Sequence, residues 1–445
     1  MTRRINVFAA AGALLIIYNL NLRAIETRDT RLIAHVALSI ASTGDADLDE
    51  FPALYPASGV TNPRGDTVRV GGHVRGTYPI VASLVAAPFF WLAIQTGTID
   101  PQRPRMIEVE AVGKVAASFW TALACLALGL LVSKLAPDAP TVVLMLAAGL
   151  ATPLWSSASQ AFWSHGPAAC FLAIALFSTL AIRSAPLVEV AAGVAFGLAV
   201  ACRPMLAVFP ASALVALRLS DHRDRAFRVA VGCGGVLGAV ALYHLCIFGT
   251  VAGGMAVLES DVVHQQTHRV DGAWSGNPIS GLAGILISPS RGILIFAPIA
   301  GLAWPAVRAI WHRDRFLRWL LVIPTVLFLL IWSKYAVWWG GHSYGPRYAA
   351  DLVVPITAIV ACGWRRFAFS RSRVAAVAMA AALIWSIGAQ TVGVYCYPNG
   401  DWNGSPVDVD QAHARLWDWS DSLILRSVSA GLYRPRWLQP QRPVP

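Results

Sequence analysis

The stretch LVEVAAGVAFGLAVACRPMLAVFPASALVALRLSDHRDRAFR, residues 187–228, holds two apolar runs back to back and then a basic loop. The runs, 187–202 and 204–217, meet at Arg203-Pro204, and the loop carries Arg218, Arg223, Arg225 and Arg228. Read as one helix, the stretch would put an arginine and a helix-breaking proline in mid-membrane. Read as two helices with a turn at Arg203, it brings the chain back to the side from which it came. Lys and Arg concentrate in cytoplasmic loops, so the basic loop marks the inside and the Arg203-Pro204 turn the outside.

Working outward, similar runs recur at 5–22, 78–96, 111–132, 140–156, 165–182, 229–248, 285–306, 318–337, 350–363 and 374–394. About 20 apolar residues cross a hydrocarbon core of about 30 Å. The chain is 56% hydrophobic and only 13% charged over its 445 residues, against about 25% charged in soluble domains. A single membrane bundle, residues 1–394, followed by an outer-face tail, 395–445, replaces the soluble-domain prior. The net charge of +11 sits mostly in short loops, where it sets orientation; it does not mark a nucleic-acid binder. Met1–Arg4 is basic, but no small-residue cleavage site follows 5–22, which reads as a retained first helix. The seven cysteines show neither disulfide nor metal spacing.

Two further basic loops, Arg308–Arg318 and Arg365–Arg373, join Arg3 and Arg4 on the cytoplasmic side. Seven runs precede the 218–228 loop, yet both ends of that interval are cytoplasmic, so one run does not cross. The best candidate is 78–96, with Pro79, Pro88 and Trp91, which reads as an interfacial segment. The expected fold is an all-α polytopic membrane protein of about 11 transmembrane helices. Its outer face then bears a long first loop, 23–110, shorter loops near 157–164 and 203, loops at 249–284 and 338–349, and the tail.

The candidate chemistry collects on that face. Glu26 and Asp29 follow the first helix, flanked by Arg23 and Arg28; a carboxylate held there can act as general base or metal ligand. Asp45, Asp47, Asp49 and Glu50 lack the glycine and closing glutamate of a calcium loop and read as a solvated face. His165 opens an apolar run as a candidate proton carrier or metal ligand. Asp261 and His264, flanked by Glu259 and His268, can share a helix face. Arg203, Arg291 in Ser288-Pro-Ser-Arg-Gly, and Arg347 stand at outer helix ends, where arginines are disfavoured unless they have a partner; guanidinium groups bind phosphate bidentately. Arg347 closes the motif Trp338-Trp-Gly-Gly-His-Ser-Tyr-Gly-Pro-Arg-Tyr348. Trp338 and Trp339 offer faces that stack on sugars, with His342 and Tyr344 as further candidate contacts.

With these motifs, residues 1–394 resemble the polytopic GT-C glycosyltransferases, especially bacterial relatives of protein mannosyltransferases and aminoarabinose transferases. The resemblance rests on the acid-bearing segment after helix one, the Ala-Cys-Arg-Pro turn, Ser-Pro-Ser-Arg-Gly and the Trp338–Tyr348 motif. It implies a GT-C-like bundle with interfacial helices in the first outer loop. It also implies inverting transfer of a sugar from a polyprenyl-phosphate donor to a glycan, lipid or protein acceptor outside the cytoplasm, in a bacterial inner membrane. Asp29, with Glu26 as rival, takes the role of base, and the arginines neutralise the departing phosphate. A divalent cation, Mg or Mn, serves some relatives and not others; Asp29 and His165 are its candidate ligands. Many relatives carry a second Asp before the fourth spanning helix, where this chain has Ser-Gln-Ala-Phe-Trp-Ser-His165. The competing readings are a flippase or transporter of a lipid-linked glycan, and a glycan ligase or polymerase that needs no carboxylate.

Overall fold

The computed structural model describes residues 2–55, 66–180, 185–254, 256, 272–312, 314–364 and 372–433. Asp261 and His264, with Glu259 and His268, lie outside the described residues, as do 365–371 of the third basic loop and the tail from 434.

Among the described residues the protein is an α-helical bundle with one small hairpin. Each apolar run forms a helix or a broken helix: α1 (Thr2–Asn19), α3 (Ile80–Gln95), α4 (Met106–Leu135), α5 (Thr141–Leu150), α6 (His165–Thr179), α7 (Pro186–Cys202), α8 (Val208–Leu219) and α9 (Arg223–Phe248). Beyond these come α10 (Pro278–Ile287), α11 (Ala303–Trp311), α12 (Arg315–Lys334), α13 (Val353–Cys362), α14 (Arg373–Tyr395) and the tail helix α15 (Leu423–Ser429). The first loop adds α2 (Arg28–Ser42) and a hairpin of β1 (Thr67–Val70) and β2 (His73–Gly76). Four helices, α4, α9, α12 and α14, are long and apolar enough to cross a bilayer.

Run 285–306 is not one helix. Pro289 forces the preceding Ser288 out of the helical region, at ψ +131°. After the Ser288–Gly292 corner the chain makes a single turn, Ile293–Phe296, then a 3₁₀ turn, Pro298–Leu302, before α11 begins. The same restriction acts at Arg203, extended at φ −144° and ψ +94° ahead of Pro204, so α7 and α8 are separate helices as the sequence requires.

Without a hydrophobic drive between helices in lipid, small residues govern how closely they approach. Gly193 on α7 and Gly232 on α9 let two backbones touch: a Cβ at Gly193 would lie 2.1 Å from the Val229 carbonyl oxygen, and one at Gly232 would lie 2.2 Å from that of Val190. At the basic end of this pair Glu189 forms an ion pair with Arg225 (3.1 Å) and accepts from Arg228 (2.6 Å). The basic loop and the Arg203 turn therefore stand at opposite ends of α7.

A helix of 30 residues is about 45 Å long, so α4 outreaches a bilayer core and offers its first turns to the first loop. There α2, α3 and the hairpin build a second small core around Leu32, Val36, Phe51, Val74, Phe90 and Phe162. Ser83 donates to the Ile33 carbonyl (3.0 Å) and Trp120 to that of Val85 (3.1 Å), tying α3 to α2 and α4. Arg28 pairs with the buried Asp66, pinning the loop back onto α2. The helices of the first loop thus form a packed shelf at the Arg203 end of the bundle.

Candidate functional site

Asp29 stands in the first turn of α2, whose N-cap is Thr27; the Thr27 hydroxyl accepts from the backbone of Thr30. A helix N-terminus is electrostatically favourable for an acid. Its carboxylate accepts from Arg347 Nη1 at 3.1 Å and also hydrogen-bonds to Tyr78. Burial, and then the charge of Asp29, push the Tyr78 hydroxyl well above its usual range, so it stays protonated and donates.

Arg347 reaches Asp29 because the loop before it folds back sharply. Gly340 adopts φ +79°, and a side chain there would press on the arginine at 3.2 Å. The guanidinium lies over the Trp163 ring (4.4 Å) and the Tyr348 ring (5.0 Å), an arrangement that attracts a cation electrostatically.

Beside this pair is a second one. Asp351, fully buried, accepts from His165 Nδ1 at 2.7 Å and from Arg203 Nε at 3.0 Å. With Nδ1–H donating to the carboxylate, the neutral ring has Nε2 of His165 as an acceptor. Among the described residues that Nε2 and the Nε of Arg347 are buried without a hydrogen-bond partner, and orphaned buried polar atoms ask for a ligand or water. The terminal nitrogens of Arg203 make no hydrogen bond among the described residues.

Asp29, Tyr78, Trp163, His165, Arg203 and Arg347 all line one cavity of about 350 Å³, within the usual span of about 300–1,000 Å³ for small-molecule sites. Trp274, set by the bond from Ala336 N to the Ala273 carbonyl (2.8 Å), faces Tyr335 on another wall. Met205, Val208, Ile331 and Val337 supply an apolar side.

Other expected site residues lie elsewhere. Arg291 does not line the cavity. It is fully buried beyond the Ser288 corner and donates to the carbonyls of Ser290 (3.1 Å) and Gly341 (3.1 Å) and to Asn403 Oδ1 (2.7 Å), with Trp402 stacked on it. Its terminal nitrogens are taken up by the protein and its Nε is buried without a partner outside the cavity lining, so it stands as a corner post at the Ser288 turn. Glu26 points away from the cavity, toward Thr30, Gly113 and the charges of Glu110, Arg31 and Lys114. Burial raises its carboxyl to about 7, and Glu110 adds to this.

The Trp338-Trp339 pair offers no free face for a sugar. Trp338 packs over Gly284 and against Trp417. Trp339 donates to Asp410 (2.7 Å) and stacks on His413. Tyr344 is buried and donates to the Ala389 carbonyl (2.7 Å). His342 turns to Asp408, at 2.9 Å. The aromatic walls of the cavity are Trp163, Trp274, Tyr335 and Tyr348 instead. Of the acidic cluster, Asp47 is buried rather than solvated, facing Arg75 and His73.

Sequence reasoning missed Asp351 because it sits inside run 350–363. A lone acid entering an apolar run, four residues after Arg347, was the available signal: such a charge needs a partner. Trp163, two residues before His165, was visible in the sequence but unremarked as a wall.

Asp29 and His165 belong to no group of three metal-ligating side chains among the described residues. Asp29 already faces one guanidinium, and Asp351 takes both His165 and Arg203. With two arginines on the cavity wall, these donors do not fit a divalent cation.

By fold and site, the chain is a polytopic α-helical membrane protein with a charged, aromatic-walled cavity at the end of the bundle opposite its 218–228 basic loop. No family model and no curated protein sequence matches it. Among solved structures it is similar to ArnT from Cupriavidus metallidurans in the apo state, at 14% identity and a TM-score of 0.48, over 96% of this chain and 75% of that one.

Proposed function

We propose that the cavity is the catalytic centre of an inverting glycosyltransferase that takes a sugar from a polyprenyl-phosphate donor on the non-cytoplasmic face. One observation carries the reading: a carboxylate, two arginines and a histidine from four distant segments line one cavity, and two of their polar atoms are buried without a partner.

In this scheme the donor phosphate lies between Arg347 and Arg203, and its prenyl chain follows the apolar side formed by Met205, Val208, Ile331 and Val337. The phosphate competes with Asp29 for Arg347 and so frees the carboxylate. Asp29 accepts the proton of the acceptor hydroxyl as that oxygen attacks the anomeric carbon. The bond from that carbon to the phosphate oxygen breaks, and the lipid phosphate leaves with the electron pair. The arginines neutralise charge that grows on it in the transition state. Nε2 of His165 accepts from a sugar hydroxyl, and Trp163 or Trp274 stacks on the ring. Positive charge in the pocket comes from arginine, so the scheme uses no metal there.

A ligase without a carboxylate, or a flippase, would leave Asp29 without a chemical role. Incubating the purified protein with a panel of polyprenyl-phosphate sugars and acceptors, and scoring released lipid phosphate, tests the proposal. Release with at least one donor is expected; transport of donors without release would favour the flippase.

A further inference from the structure

Away from the cavity, the tail and the Trp338–Tyr348 loop meet at a second cluster. His342 Nε2 lies 2.9 Å from Asp408 Oδ1 and 3.4 Å from Asp410 Oδ2. The three ligand atoms all fall within 4.8 Å of one another. A tetrahedral ion with bonds of 2.0–2.2 Å holds its ligand atoms about 3.4 Å apart, so small adjustments would seat one.

Charge favours an ion here. Two carboxylates face one imidazole, leaving net negative charge even if the histidine is protonated. Among the described residues, neither Asp408 nor Asp410 forms a direct ion pair with Lys or Arg, the charges of Arg415 and Arg291 acting on them only from farther away. The other two groups of this kind, Asp47-Asp49-His73 and Asp45-Asp47-Glu50, include Arg75 3.6 Å from Asp47; there the neutralising cation is already part of the protein. Outer contacts also orient the ligands, as at metal sites generally. Trp339 donates to the other oxygen of Asp410 (2.7 Å), and the Asp410 amide donates to Asp408 (2.9 Å).

We propose that His342, Asp408 and Asp410 bind a divalent transition-metal ion that fastens the C-terminal tail to the loop carrying Arg347. One imidazole with two carboxylates favours zinc over magnesium and calcium, which prefer all-oxygen sets. The fourth position is left to water. Gly341, next to His342, also accepts from Arg291, which holds Asn403 of the tail. The ion adds a second fastening to the same pair of segments, five residues before Arg347. The site does not depend on how the cavity is read.

The test uses the full chain in detergent, with no histidine tag, titrated with zinc chloride in a calorimeter and dialysed for metal analysis. We expect one zinc per chain, and at least about ten-fold weaker binding in both His342→Ala and Asp410→Asn. His73→Ala, in the rival cluster, should bind as the parent does. Zinc should also slow proteolysis within residues 396–433 of the parent and not of His342→Ala. Absence of zinc binding, or binding unchanged in both His342→Ala and Asp410→Asn, overturns the proposal, as does loss on His73→Ala alone. Because two variants are read, misfolding of one leaves the other decisive.

Discussion

In the proposed reaction Asp29 is the residue on which the chemistry turns. It is held by Arg347 and Tyr78 but lines open space, whereas Glu26, three positions earlier, faces the opposite way into the protein. We expect Asp29→Asn to cut lipid-phosphate release by about 10²–10⁴-fold, the usual contribution of a general base. Glu26→Gln should leave turnover within a few-fold of the parent. Glu26 nevertheless has a signature of its own. Its carboxyl rises from the usual 4.5 to about 7, so between those pH values the folded chain keeps a proton that the unfolded chain releases. Stability therefore falls as pH rises from about 4.5 to about 7. Glu26→Gln removes that loss: roughly 1–3 kcal/mol of stabilisation at pH 8 and little near pH 4, read as detergent melting at both values. Arg347→Ala should weaken donor binding by more than about ten-fold and lower the melting temperature less in proportion. Equal loss of both would make the arginine structural.

Among elements, the sequence was most legible where apolar length and proline agree. The Arg203-Pro204 turn could be read because a charge and a proline coincide between two runs, and α7 and α8 are indeed separate helices. Run 285–306 was less legible: hydropathy is blind to the backbone corner that Pro289 and Pro298 impose. The place of Arg291 was hidden for a related reason, since sequence cannot show that two carbonyls and Asn403 hold its terminal nitrogens outside the cavity. Asp351 was hidden by its apolar neighbours. Packing between elements offers a sharp test at the α7–α9 crossing. Gly193→Ala places a methyl group where only 2.1 Å separates it from a carbonyl oxygen, and overpacking typically costs about 1–3 kcal/mol. A lowered melting temperature with donor affinity retained is expected, because the crossing lies away from the cavity.

At the scale of the whole molecule, the arrangement separates two jobs. The basic loop with Glu189, Arg225 and Arg228 stands at one end of α7, and Arg203 with the cavity at the other. The first-loop shelf brings Asp29 over that second end, and the 338–346 loop brings Arg347 down to meet it. The tail contributes nothing to the cavity lining among the described residues; it packs instead on the back of the Arg347 loop through Trp417 and Asp410, and on Arg291 of the Ser288 corner through Trp402. On the proposed reading, that architecture sets a reactive headgroup at the membrane edge with its lipid chain in the bilayer.

The most direct measurement is donor binding and lipid-phosphate release, taken together on the parent, Asp29→Asn and the Arg203→Ala/Arg347→Ala double variant. The expected result is a separation: the aspartate variant binds the polyprenyl-phosphate sugar and does not turn it over, while the double arginine variant fails to bind. Undiminished release from Asp29→Asn, or full donor affinity without both arginines, would contradict the account.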